Sequence, residues 1–221
     1  MVFDSVNVIG AGGRAGSAIS ARLRQAGLSL RDRDAELVLL CVPDSAIAEV
    51  AARVRPGPWL AHVSGATQLS ALDPHERRFS VHPLQTLVSW RGPEQLDGAY
   101  AAVTAETEEA REQAVWLAQA LGMEPFELPD ADRALYHAGA VIASNFLVTL
   151  YRTAARLVQD AGAPPEALVP LMRRTMENDF ELTGPITRGD SSTVSAHLEA
   201  LRKREPGIEP MYRALAEATK R

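Results

Sequence analysis

Apolar residues in the first 130 positions come in short unbroken runs, with longer amphipathic stretches between them. VNVI at 6–9 and LVLLCV at 37–42 lack the apolar/polar alternation of a half-exposed strand, so they predict strands buried on both faces. WLAHV (59–63), FSV (79–81), AYAAV (99–103) and PFEL (125–128) are further strand candidates. Helical spacing fills 14–26, 45–54 and 106–121. Buried strands separated by helices predict a mostly parallel sheet covered on both faces.

The pattern changes after LPDADR (128–133). From there to residue 177 the apolar positions, among them Val141, Phe146, Leu147, Leu150 and Leu157, recur at helical spacing, with Asp130 or Asp132 as the N-cap. In DAGAPPEAL, Gly162 ends one helix and Pro164 and Pro165 start the next. After the loop DFELTGPITRGDSST, two more helices are expected at about 191–203 and 208–219. The chain therefore reads as an α/β domain over 1–129 and an all-helical domain over 130–221, without internal repeats.

Net charge is −5, and the 23 Lys and Arg are scattered rather than striped, so no nucleic acid partner is expected. The single cysteine, Cys41, excludes an internal disulfide and sits in a run that reads as core. The first ten residues lack the basic start and apolar stretch of a signal peptide, and no unbroken apolar run approaches a membrane span. The expectation is a cytoplasmic protein without a membrane partner.

Candidate chemistry begins at VIGAGGRAG, which supplies G-x-G-x-x-A as Gly10, Gly12 and Ala15. After a buried strand and before an Ala-rich helix, this predicts a Rossmann-type turn. Gly10 supplies its backbone angles, Gly12 leaves room for a pyrophosphate, and Ala15 allows close helix packing. The phosphates would rest on the helix N-terminus near Gly13, with Arg14 adding charge. Behind the helix, however, only QAGLSLRDRDAEL (25–37) precedes the next strand. Five extended residues reach about 16–18 Å, and parallel neighbours usually need crossovers of about a dozen residues. The simpler path runs directly from helix to strand. It leaves Arg31–Asp34 at the bottom of the sheet and truncates the adenosine half of the site. The alternative is a short irregular LSL strand that still offers Arg31 or Arg33 to an adenosine phosphate.

Other candidates stand at strand ends. Val42, Pro43 and Asp44 would face a nicotinamide or substrate, unless Asp44 or Ser45 merely caps the next helix. HVSGAT places Ser64 and Gly65 where ligands touch backbone; a nucleophile elbow is excluded because no glycine stands two residues before Ser64. His82 in SVHPLQT is a proton donor or acceptor, or else a loop-bonding histidine. His62, His82 and His137 lack metal-ligand spacing, so no metal is expected. His137, Val141, Ser144, Asn145 and Val148 share one helix face, whose polar members are either paired in a core or turned to a cleft between domains. Thr183–Asp190 form a shaped loop or a helix-capping connector.

Together, VIGAGGRAG, ELVLLCVPDSAI, HVSGA, SVHPLQT, ALYHAGAVIASNFLVTL and LTGPITRGD…HLEAL resemble the Rossmann-like proteins carrying a domain of unknown function 2520. That group is similar to the 6-phosphogluconate dehydrogenase-like superfamily, which includes pyrroline-5-carboxylate reductases and F420-dependent NADP reductases. The resemblance implies NAD or NADP as cofactor and a small-molecule substrate. It also implies a homodimer through the C-terminal helices, and catalytic residues among Ser64, His82, His137 and Asn145. Two departures stand out. The segment after Gly27 is short, and Val141 occupies the position where related dehydrogenases carry a lysine four residues before Asn145. The leading expectation is an NAD(P)-dependent oxidoreductase. The alternative is a non-enzymatic dimeric ligand-binding module descended from one.

Overall fold

In the computed structural model, which describes residues 2–220, the apolar runs become β1 (Ser5–Ile9), β3 (Leu37–Leu40), β4 (Trp59–His62), β5 (Arg78–Pro83), β6 (Tyr100–Ala105) and β7 (Glu124–Glu127). A further strand, β2 (Ser29–Leu30), completes a seven-stranded sheet of order β2-β1-β3-β4-β5-β6-β7. All neighbours are parallel except β5 and β6. Helices α1 (Arg14–Gln25) and α3 (Glu108–Ala120) bury Ile19, Leu23, Ala114 and Leu117 in the larger core, with Leu37, Leu39, Phe79 and Val81 of the sheet. The short α2 (Ile47–Ala51) covers a smaller core around Val38, Leu40 and Leu60. The mostly parallel sheet with helices matches the expected class, and Cys41 packs against the larger core as expected.

The connection from α1 to β3 differs from the expected direct path. Ser29 N–H donates to Asp4 O and Arg31 N–H to Val6 O, both at 3.0 Å, so the chain first climbs beside β1. The climb is only two residues, roughly 7 Å, so the return is short enough for residues 31–36. They cross β1 at mid-strand rather than below it: Asn7 Nδ2 donates to Asp32 O at 3.0 Å. Asp34 turns the chain with φ 53°, and Glu36 Oε2 accepts from Asp4 N–H at 2.6 Å at the base of the sheet. Asp32, Arg33 and Asp34 therefore lie against the sheet face instead of along its bottom edge. They line a cavity of about 460 Å³ with Asn7, Ile9 and Arg55.

Past β7, the helical span Asp130–Asp160 comprises α4 (Arg133–Val141), a wider turn over Ile142–Phe146, and α5 (Leu147–Asp160). The chain divides into two compact units at Ser144/Asn145, inside this span and fifteen residues after the composition change at 129. The second unit contains α5, α6 (Leu168–Glu177), α7 (Ser191–Arg204) and α8 (Glu209–Thr219). Its buried apolar residues are few: Leu198, Leu201, Ile208 and Ala216. By length and composition, Asp130–Asp160 would suffice to cross a membrane, and none of its most apolar window is buried. Averaged over a window, its Ala, Leu and Val outweigh the polar residues that interrupt a strictly apolar run.

Gly16→Ala tests the close packing of α1. A Cβ there would lie 2.1 Å from Gly10 O, a backbone atom that cannot swing aside. Urea denaturation should show a loss of about 1–3 kcal/mol; an unchanged midpoint would mean that the turn has slack.

Candidate functional site

The turn between β1 and α1 contains glycines of two kinds. Gly10 has φ +93°, and a Cβ on it would meet Cys41 O at 2.4 Å; Gly16 is equally closed. These two are required by the fold itself. Gly12 has nothing within 4 Å of its Cβ position and no left-handed φ, so the fold makes no demand for glycine there. Behind it, α1 begins at Arg14 with Gly13 as N-cap. No side chain caps it, and its first turn carries no acidic residue. Gly13 N–H is used by Gly10 O at 2.9 Å. The helix end beyond it carries the partial positive charge of aligned peptides and suits an anion. Ala15 is half-buried against the core and Arg14 is exposed.

A second cluster forms where β4 and β5 end. His82 Nδ1 lies 2.8 Å from Tyr136 Oη, and the His82 and His137 rings meet edge to face at 6.1 Å. Both rings press on Gly65, where a Cβ would fall 2.8 Å from His137 Cδ2 and from His82 Cε1 and Nε2. Burial first, then His137 and Arg133, push His82 down to about 4, with Asp44 pulling the other way. Burial likewise raises Tyr136 to about 12. Near neutral pH the pair is an uncharged imidazole beside an uncharged phenol. Such a pair is able to donate or accept a proton while neither group is charged at rest.

Beneath this pair runs a buried polar row. His62, Ser80 and Thr104 are register partners across β4, β5 and β6, so their side chains share one face. His62 Nδ1 accepts from Ser64 N–H at 3.2 Å, which puts the ring proton on Nε2, and that nitrogen is buried without a partner among the described residues. Burial, Arg133 and His82 lower His62 to about 3, so it is neutral. The Ser64 hydroxyl shapes the loop after β4: it accepts from Ala66 N–H at 3.2 Å and Thr67 N–H at 3.0 Å and pairs with Thr67 Oγ1 at 2.9 Å.

Tyr136 and Arg133 escaped the sequence reading. The usable signal was an arginine in the first turn of a helix, where the macrodipole disfavours a cation on the surface. Asp44 begins a short turn but makes no capping hydrogen bond, so the capping reading does not describe it. Val42 is half-buried and Pro43 exposed at the end of β3. Asn145, exposed, lies in the second unit, its carbonyl accepting from Thr149 Oγ1 at 3.2 Å. The Thr183–Asp190 loop does serve as a helix connector: Asp190 caps α7 through Thr193 N–H at 3.0 Å, which draws its carboxyl down to about 2. With Ile186, Val194 and Tyr212 the loop also borders a cavity of about 490 Å³.

A family model described as a domain of unknown function (DUF2520) matches residues 99–219, and a Rossmann-like domain model matches residues 24–85. Among solved structures, a Bacteroides fragilis protein proposed to be an NADP oxidoreductase is similar over 99% of this chain and 98% of its own. Its identity is 20% and its TM-score 0.83. A Thermotoga maritima protein covers 98% of this chain and 100% of its own at 24% identity, TM-score 0.71. Pyrroline carboxylate reductase of Plasmodium falciparum, solved with NADP bound, covers 99% and 97% at 12% identity, TM-score 0.62. At these identities the likeness carries the fold alone. No curated protein matches the chain.

Two neutral histidines, His62 buried and His82 half-buried, give the stability a definite pH dependence. Their folded values lie below the ordinary 6.5, so the unfolded chain binds more protons in acid. The stabilisation is complete above pH 6.5 and is lost as pH falls toward 4 and then 3. Thermal unfolding of the wild type should weaken over that window, and His62→Gln should show a shallower decline; parallel curves would contradict the buried-neutral assignment.

Proposed function

The chain belongs to the DUF2520 family, and we propose that it is a nicotinamide-dependent oxidoreductase acting on a small polar substrate. The supporting observation is Gly12: its side-chain space is open, and it adjoins an uncapped helix N-terminus. A Cβ would fill the cradle that a pyrophosphate needs. The fit extends to Arg14, which begins the helix and supplies charge. Solved neighbours hold NADP, as in the Plasmodium falciparum enzyme, or NAD, as in a Cupriavidus necator protein. For the adenosine end, the cavity beside Asn7 offers Asp32 and Arg33 on the short crossover. Val42, Pro43, Asp44 and Gly65 would border the nicotinamide.

A bound nicotinamide would supply or accept the hydride. The protein's part is the proton. In the tautomer with its proton on Nε2, His82 accepts the Tyr136 hydroxyl hydrogen bond at Nδ1 and presents an N–H donor to substrate. In the other tautomer, Nδ1–H donates to Tyr136 Oη and Nε2 presents a lone pair to an alcohol or amine proton. His137, packed beside His82 against Gly65, excludes water and orients the substrate in this reading. Ser64 shapes the loop rather than attacking.

The second unit supports a homodimer. Phe146, Leu147, Leu171, Met176, Phe180 and Leu182 are exposed in the single chain, more apolar surface than a lone helical unit leaves to water. A second copy covers this surface in our reading. The helix that lipid would otherwise cover has Arg133 in its first turn, buried against the sheet.

Calorimetric titration with NADPH, NADH and their oxidised forms tests the cofactor. Wild type should bind at least one, and Gly12→Ala should keep its stability within about 0.5 kcal/mol while binding about tenfold or more weakly. Absence of binding by all four at millimolar concentration would end the oxidoreductase reading. Light scattering should give twice the 23.9 kDa chain mass; a single-chain species would contradict the dimer.

A further inference from the structure

Arg133 is fully buried, yet its nearest carboxylate, Asp130, is 3.5 Å from Nε and partly exposed. Asp130 is also engaged by Leu69 N–H at 3.1 Å. The guanidinium is satisfied mainly by neutral oxygens. Nε donates to Thr67 O at 2.7 Å, Nη2 to Ser64 O at 3.0 Å and Ser80 Oγ at 2.5 Å, and Nη1 to Thr104 Oγ1 at 3.3 Å. Thr104 Oγ1 in turn donates to Leu128 O at 2.7 Å. One side chain therefore joins both ends of the loop carrying Gly65, two central strands, and the helix turn that presents Tyr136 and His137. Cohesion alone does not call for this. A well-packed apolar side chain often fills such a position at no loss of stability, whereas a buried cation carries a desolvation cost.

We propose that Arg133 is a positioning residue for the proton relay: its guanidinium, anchored to both ends of the Gly65 loop and to β5 and β6, sets the distance between Tyr136 and His82 from beneath and places a fixed positive charge near the His82 ring. The proposal rests on the oxidoreductase reading for its purpose but not for its test. The groups facing His82 are His137, Tyr136 and Arg133 from the helix, Asp44 from the end of β3, and His62 from β4. Of these, Arg133 is the cation whose place is fixed on every side. Its removal releases the repulsion that opposes an imidazolium and frees the helix turn at the same time.

The test is ring-nitrogen NMR titration of His82 in the full chain, with no cofactor or substrate needed. Wild-type His82 should stay neutral well below pH 6 and retain its close contact to the Tyr136 ring. In Arg133→Met the titration midpoint should rise toward, without reaching, the ordinary imidazole value, because burial and His137 remain, and the Tyr136 contact should weaken. Arg133→Lys, which keeps the charge without the fork of donors, should hold the midpoint near the wild-type value while losing the contact. Thr104→Val, which removes one acceptor, should weaken the contact alone. If Arg133→Met does not fold, the Lys and Val variants decide: an intact His82–Tyr136 contact in both overturns the proposal. So does an unchanged midpoint in a folded Arg133→Met. Loss of cofactor binding in the wild type, beside shifted histidine titrations in the variants, would remove the oxidoreductase reading and leave the positioning role standing.

Discussion

The fold depends on a close backbone approach between the start of α1 and the ends of β1 and β3. Gly10 lies against the Cys41 carbonyl and Gly16 against the Gly10 carbonyl, so no side-chain carbon fits at either place. This contact seats the helix on the sheet and directs its uncapped N-terminus past the strand ends. Gly12 and Gly13, between the two fixed points, remain exposed at the surface. A turn that needed only to reverse the chain would carry a side chain at Gly12 without strain.

A second constraint is the polar layer inside the sheet. A row of His62, Ser80 and Thr104 across three central strands would be costly without partners. Arg133 supplies hydrogen bonds to the serine and the threonine, and its positive charge discourages protonation of the nearby rings. With burial foremost and His137 and that charge beside it, the imidazole at the end of β5 meets the Tyr136 phenol as a neutral partner. Two central strands, the loop carrying Gly65 and the start of α4 are thus joined through one guanidinium. In the second unit the balance differs: among the described residues its helices bury few apolar side chains of their own.

Much of the fold was legible because strands buried on both faces leave continuous apolar runs, and because Gly162, Pro165 and Asp190 mark helix ends by local chemistry. The β2 strand was legible only as the alternative, a short LSL strand. Two residues have no periodicity, and Ser29–Leu30 becomes a strand only through tertiary hydrogen bonds to Asp4 and Val6. Strand direction was equally hidden, since the antiparallel β5–β6 pair has the same apolar pattern as a parallel one. At the candidate site, glycine spacing and the strand-end His82 were readable from types and positions. Arg133 and Tyr136 were not, because an arginine at a helix start reads as solvated until its carbonyl partners, more than sixty positions away, are known.

Whether this fold works with a dinucleotide is answered most directly by a crystal structure of the full chain grown with NADPH. The account requires pyrophosphate oxygens at hydrogen-bonding distance from the backbone at the start of α1, above Gly12, with the nicotinamide ring beside Gly65 and His82. A dinucleotide ordered elsewhere on the molecule, with the glycine turn left to solvent, would contradict it.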